Sequence, residues 1–176
     1  AKDGALIASR VKAEKFIKDE SGKVIGIVAR DLLTDSTFEI HARLVINTTG
    51  PWSDEVRNLG GEGSGVLQMR PTKGVHLVVD STRLSVPQPT YFDTGRADGR
   101  MVFVLPRENK TYFGTTDTDY TGDLANPMVT QEDVDYLLDI VNTRFPEANL
   151  TLDDIESGWA GLRPLLSGNG ASDYNG

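Results

Sequence analysis

The sequence predicts an α+β fold with a mainly antiparallel sheet, and three observations carry that expectation. Short apolar-alternating runs broken by Gly and Pro recur along the 176 residues. One segment carries Val134, Leu137, Leu138 and Val141 at helical spacing. A glycine-rich stretch, Gly60-Gly61-Glu62-Gly63-Ser64-Gly65, separates two regions of different texture, which sets one domain at 1–62 and a second at 63–176.

In chain order, Ala5 to Phe16 and Val24 to Asp31 flank Asp19-Glu20-Ser21-Gly22, the pattern of a hairpin with a polar, glycine-containing turn. Phe38 to Ala42 and Leu44 to Asn47 read as a further strand pair that stops at Thr48-Thr49-Gly50-Pro51-Trp52. Pro51 suits a first helical position, so Ser53 to Leu59 is expected as a short helix. Beyond the glycines, Gly74 to Asp80, Met101 to Arg107 and Tyr112 to Thr116 are rich in Val, Phe and Tyr and read as antiparallel strands. Thr130 with Asp133 forms a capping box for a helix that Phe145-Pro146 ends. Ile155 to Leu165 reads as a returning strand, and the small, polar tail from about 167 reads as a loop.

Composition narrows the function classes. Eighteen Lys and Arg against twenty-six Asp and Glu give a net charge of −8, which argues against nucleic acid or anionic lipid as the main partner. An anionic substrate then needs a local basic pocket. There is no cysteine, hence no thiolate nucleophile or Cys-based metal site, and two histidines are too few for a histidine-rich cage. No apolar run approaches the roughly 20 residues of a membrane span, and the start at Ala1-Lys2-Asp3-Gly4 is unlike a signal peptide. A soluble, cytoplasmic protein is expected, with no metal.

Few residues are candidates for chemistry. Alternation puts His41 on one strand side with Glu39 and Arg43, a solvated face. His76 shares its strand face with Gly74, whose missing side chain leaves room for a ligand or another backbone; the alternative is a buried histidine satisfied by a backbone hydrogen bond. Arg163, among apolar residues in Gly161-Leu162-Arg163-Pro164-Leu165, needs either an internal carboxylate or an anionic substrate to offset its desolvation. Arg70 and Lys73, on the segment of His76, either add positive potential to the same pocket or lie on the surface. The turn Thr48 to Trp52 is of the kind that presents backbone amides to a cofactor. Thr115 to Asp119 lacks the glycine and terminal glutamate of a calcium loop, and no Gly-x-Gly-x-x-Gly or Walker A sequence is present.

Three segments in this order, Val45-Ile46-Asn47-Thr48-Thr49-Gly50-Pro51-Trp52, Arg70-Pro71-Thr72-Lys73-Gly74-Val75-His76 and Gly161-Leu162-Arg163-Pro164-Leu165, resemble the FAD-dependent glycerol-3-phosphate dehydrogenases, most closely the bacterial α-glycerophosphate oxidases. Asp98 to Phe103, Thr111 to Asp117 and the helix start at Thr130 resemble the same family, so the likeness spans nearly the whole chain. It implies part of a glutathione-reductase-like FAD domain followed by a substrate domain on an antiparallel sheet. It also implies Thr49, Gly50 and Trp52, with Val11 near the adenine, as FAD neighbours, and Lys73, His76 and Arg163 as substrate ligands.

The implied chemistry is oxidation of glycerol 3-phosphate to dihydroxyacetone phosphate. His76 takes the C2 hydroxyl proton while hydride passes to the flavin, and Arg163 binds the phosphate or the developing carbonyl oxygen. The polar stretch Gly168 to Gly176 resembles the start of an extra oxidase segment, which favours oxygen as acceptor, with hydrogen peroxide formed. A quinone-linked dehydrogenase, peripheral at a membrane, is the nearest alternative. An amine-oxidising relative, such as a glycine or sarcosine oxidase, and a non-catalytic phosphate-binding module are the others. The family's N-terminal Gly-x-Gly-x-x-Gly unit and C-terminal closing segment have no counterpart here, so the chain reads as an internal fragment that alone neither retains FAD nor turns over substrate.

Overall fold

The computed structural model describes residues 4–61 and 67–168. The glycine-rich boundary beyond Gly61 and the tail from 169 lie outside them, and with that tail most of the stretch that favoured an oxidase. The chain divides into two compact units, Ala1–Val66 and Leu67–Gly176.

The first unit is an antiparallel meander of β1 (Val11–Lys18), β2 (Val24–Asp31) and β3 (Thr37–His41) in that order. The expected hairpin is present, and Asp19 holds its turn by accepting the Ser21 and Lys23 amides, both at 3.0 Å. A bulge between Ala13 and Lys15 frees Glu14 to pair with Arg30 Nε at 2.6 Å. A 3-10 turn at Gly50–Trp52 leads into α1 (Ser53–Asn58), with Pro51 at the helical entry as expected.

Two apolar runs of this unit are not strands. Ala5 to Arg10 and Leu44 to Asn47 carry alternation, but neither run is a strand. Leu6, Ile7, Leu44 and Ile46 are largely exposed. A strand is completed by its neighbour, and alternation supplies only half of it.

In the second unit β4 (Leu67–Asp80) is the central strand of a six-stranded sheet. Along one edge it pairs with β9 (Ile155–Gly168); along the other with β7 (Lys110–Gly114) and then, further back, β8 (Thr118–Asp119). β6 (Met101–Arg107) and β5 (Thr90–Asp93) extend the sheet beyond β7, and every pairing is antiparallel. β4 starts seven residues earlier than expected, running through Pro71, and β9 likewise runs through Pro164 into the supposed tail. Pro71 and Pro164 oppose one another, so a single gap in the ladder accommodates both missing donors.

The helix α2 (Gln131–Arg144) forms where expected. Thr130 and Asp133 make the capping box, and beyond it Asn142 binds both backbone groups of Leu150 at 2.7 and 2.8 Å. Its buried face, Val134, Leu137, Ile140 and Val141, packs in one core with Val75, Leu77 and Val79 of β4, Val102 and Val104 of β6 and Phe113 of β7. One sheet face is thereby filled with aliphatic and aromatic side chains, and the other stays open.

Candidate active site

Alternation along β4 sorts the candidates. Val75, Leu77 and Val79 enter the core, so Lys73 faces that side too, while Gly74 and His76 belong to the open face. Lys73 does not stand with His76 as expected. Its ammonium lies 2.5 Å from Asp133 Oδ2 and 3.2 Å from the Met128 carbonyl, with the side chain only 8% exposed. The same carboxylate oxygen accepts the Thr130 amide and hydroxyl, each at 2.8 Å. Burial opposes ionisation of Asp133, but Lys73 and Thr130 outweigh it and hold the carboxyl below its usual range. A cleft of about 370 Å³ opens beside this pair, between Arg100, Tyr120, Thr130 and Tyr136, and neither His76 nor Arg163 lines it.

On the open face, His76 has Gly114 of β7 and Trp159 of β9 as its cross-strand neighbours. The imidazole stacks on the Trp159 indole, with centroids 4.9 Å apart and planes 9° from parallel, and Tyr112 lies tilted at 6.2 Å. A Cβ at Gly114 would come within 2.7 Å of His76 Cδ2, so the ring needs glycine there. Neither ring nitrogen has a hydrogen-bond partner among the described residues, unlike a structurally satisfied core histidine. Burial, and then the nearby Arg163 charge, push the imidazole below its ordinary pKa and favour the neutral form that can accept a proton.

Arg163 pairs with Thr72 across the β4–β9 ladder, and its guanidinium reaches over Gly74. A Cβ at Gly74 would lie 2.6 Å from Nη2 and 2.7 Å from Nη1, so the space expected there for a ligand is taken by the arginine. Nη1 donates to the Thr116 carbonyl and to Asp117 Oδ1, both at 3.2 Å, and Nη2 donates to Thr115 Oγ1 at 3.0 Å. Nε and one Nη2 hydrogen keep no partner among the described residues, enough for an oxyanion. Thr116 is itself buried, and its hydroxyl accepts the Val75 amide at 3.1 Å where β4 changes partner from β7 to β8.

The remaining basic and histidine candidates are peripheral. Arg70 forms a two-pronged ion pair with Asp119 at 2.8 and 2.9 Å. His41 is exposed and meets Glu39 at 2.9 Å, the solvated strand face anticipated for it.

In the first unit the turn before α1 is braced by Asn47. Its side-chain oxygen accepts the Thr49 amide at 3.2 Å and hydroxyl at 2.7 Å, while its amide nitrogen donates to the Ser53 carbonyl at 2.9 Å. Gly50 has φ +58 and no atom within 4 Å of where a Cβ would stand. Gly50 therefore leaves open space on that side of the turn, beside the partly exposed Trp52, but the Thr49 amide and the Thr49 and Gly50 carbonyls are already engaged by Asn47, Trp52 and Ser53, so the turn does not present the row of backbone amides expected of it. Val11 begins β1, an edge strand of its sheet, and keeps one backbone side unpaired among the described residues. Both features fit a flat nucleotide cofactor.

Sequence reading missed the residues that set up this geometry: Trp159, Gly114, the Thr115–Asp117 seat of Arg163, and Asn47. Only cross-strand register exposes Trp159 and Gly114, and only the reach of the Arg163 side chain exposes its seat; Asn47, two residues before Thr49, carried a turn signal.

Residues 1–174 match a family model described as FAD dependent oxidoreductase. The alpha-glycerophosphate oxidase of Streptococcus pneumoniae is 78% identical over 174 residues, covering 99% of this chain and 29% of that protein. The alpha-glycerophosphate oxidase of Enterococcus casseliflavus is 67% identical over 174 residues, with the same shares covered. The chain thus spans about 29% of the length of these curated relatives. The solved glycerol-3-phosphate dehydrogenase from Bacillus halodurans, complexed with FAD, superposes with a TM-score of 0.81 at 52% identity, covering 89% of this chain and 31% of that one. A glycine oxidase from Bacillus cereus shares the fold, with a TM-score of 0.64 at 22% identity over 92% of this chain and 39% of that one.

Proposed function

Because this chain belongs to the FAD-dependent oxidoreductase family, we propose that its protein oxidises sn-glycerol 3-phosphate to dihydroxyacetone phosphate with oxygen as acceptor, releasing hydrogen peroxide. The observation that carries the reading is the open sheet face. On it lies His76, with a pKa lowered by burial and then by Arg163 and no hydrogen-bond partner among the described residues, near the Arg163 guanidinium, which keeps donors to spare among them. The names of the relatives support the substrate and, through the oxidases, the acceptor.

FAD would lie along Thr49, Gly50 and Trp52, with Val11 at the nucleotide, and when bound it supplies the acceptor for the hydride leaving C2. His76 takes the C2 hydroxyl proton. Arg163, seated by Thr115, Thr116 and Asp117, holds the phosphate or the oxygen that becomes the carbonyl, and after burial its charge is the second cause that lowers the pKa of His76. Lys73 serves the fold instead.

The test uses the whole protein. Glycerol 3-phosphate under air is expected to yield dihydroxyacetone phosphate and hydrogen peroxide in equal amounts. Turnover only with an added quinone would reassign the acceptor, and turnover of glycine or sarcosine instead would reassign the substrate. His76→Ala is expected to lower turnover by about two to four orders of magnitude, as for loss of a general base. In the unaltered protein the acid limb of kcat/KM is expected below the ordinary histidine range, since protonation of a base with a depressed pKa stops the reaction only at lower pH.

A further inference from the structure

Catalytic histidines are commonly held by a carboxylate or carbonyl that binds the second ring nitrogen. His76 has no such partner among the described residues, yet its ring sits in a defined place. Two features account for this. The Trp159 indole lies nearly parallel to the imidazole at 4.9 Å from the neighbouring strand, and Gly114 on the opposite neighbour leaves a notch that the imidazole edge enters, 2.7 Å from where a Cβ would stand. Trp159 is 46% exposed on the open face, and Tyr112 closes the group at 5.6 Å from it.

We propose that Trp159 is a positioning residue for His76, fixing the imidazole plane by stacking in place of a hydrogen bond, with Gly114 as the matching notch. The inference rests on the base role given to His76 above. A ring held on one face and one edge leaves both nitrogens without a hydrogen-bond partner among the described residues, so one accepts the substrate proton while the other stays open to solvent or to a further group. The indole also covers one face of the imidazole. The other charged or titratable groups facing the ring are Arg163 from β9, with Asp117 behind it, and Tyr112 from β7. Of these, Tyr112 also packs on Trp159, with ring centroids 5.6 Å apart, so a change at Trp159 touches it as well.

The experiment compares Trp159→Leu, Trp159→Phe and His76→Ala in the whole flavoprotein, following kcat/KM for glycerol 3-phosphate across pH and bound flavin by absorbance. Trp159→Leu is expected to lower kcat/KM about tenfold, as for loss of an aromatic pair and its alignment, and to move the acid limb up toward an ordinary histidine. Trp159→Phe, which keeps a stacking ring, is expected to return both to within about threefold of the parent. An inactive His76→Ala beside a Trp159→Leu with parental rate and acid limb would overturn the positioning role while leaving the base role intact. So would a Trp159→Phe as impaired as Trp159→Leu. A fully active His76→Ala would remove the base role, and the positioning role with it.

Discussion

Replacing Lys73 with Met separates structure from substrate binding at a position where sequence pointed to the substrate. The change deletes the cation from a pair that is almost wholly buried, leaving Asp133 Oδ2 with only the Thr130 amide and hydroxyl. Breaking a buried pair by removing one partner costs about 3–5 kcal/mol. Two charge-assisted bonds survive at the carboxylate, so the lower end, about 3 kcal/mol, is expected. With a urea slope of about 2 kcal/mol per molar, the unfolding midpoint falls by about 1.5 M. Because the folded pKa of Asp133 is depressed, the carboxylate's contribution is complete above its unfolded pKa. It is lost as pH falls through the lower folded value, so the difference between parent and variant narrows in acid. The assays are urea unfolding at pH 7 and below pH 3.8, the carboxyl's ordinary pKa, and KM for glycerol 3-phosphate in native buffer. A midpoint shift below about 0.3 M together with a KM raised about tenfold would refute the structural role and return Lys73 to the substrate.

Other outcomes follow from the same geometry. Arg163→Lys cannot reproduce the fork that reaches Thr115, Thr116 and Asp117, and kinetics will assign its role: KM raised at constant kcat marks a phosphate ligand, a fall in kcat marks contact with the reacting oxygen, and neither change removes Arg163 from the site. Leu137→Ala opens a cavity beneath the sheet at a fully buried position and is expected to destabilise by about 2–5 kcal/mol in denaturant melts, without moving KM. A loss under about 1 kcal/mol would show that the core collapses to fill the space.

What the sequence revealed depended on how local the signal was. The Asp19–Gly22 hairpin and the helix begun by Thr130 and Asp133 are complete within a few residues, and both formed as expected. The runs at Ala5 and Leu44 had the right alternation yet are not strands, because alternation does not report whether a ladder forms beside it. Pro71 hid the first half of β4, because its exemption depends on Pro164 standing opposite, more than ninety residues away. At the candidate site the residue types were legible but their faces were not all read. The parity that joins His76 to Gly74 also excludes Lys73, whereas Trp159 and Gly114 become neighbours of His76 only through register with two other strands.

The division of β4 into two faces also bears on which insertions and deletions the gene can tolerate. With a repeat of two, losing one residue between Thr72 and His76 would turn the imidazole toward α2 and push Val75, Leu77 or Val79 into the open. Point substitutions can adjust reactivity on the even positions and packing on the odd ones almost independently. A frame-preserving deletion of a single codon cannot: it would exchange the two faces beyond it together, so length in this segment is fixed more tightly than composition.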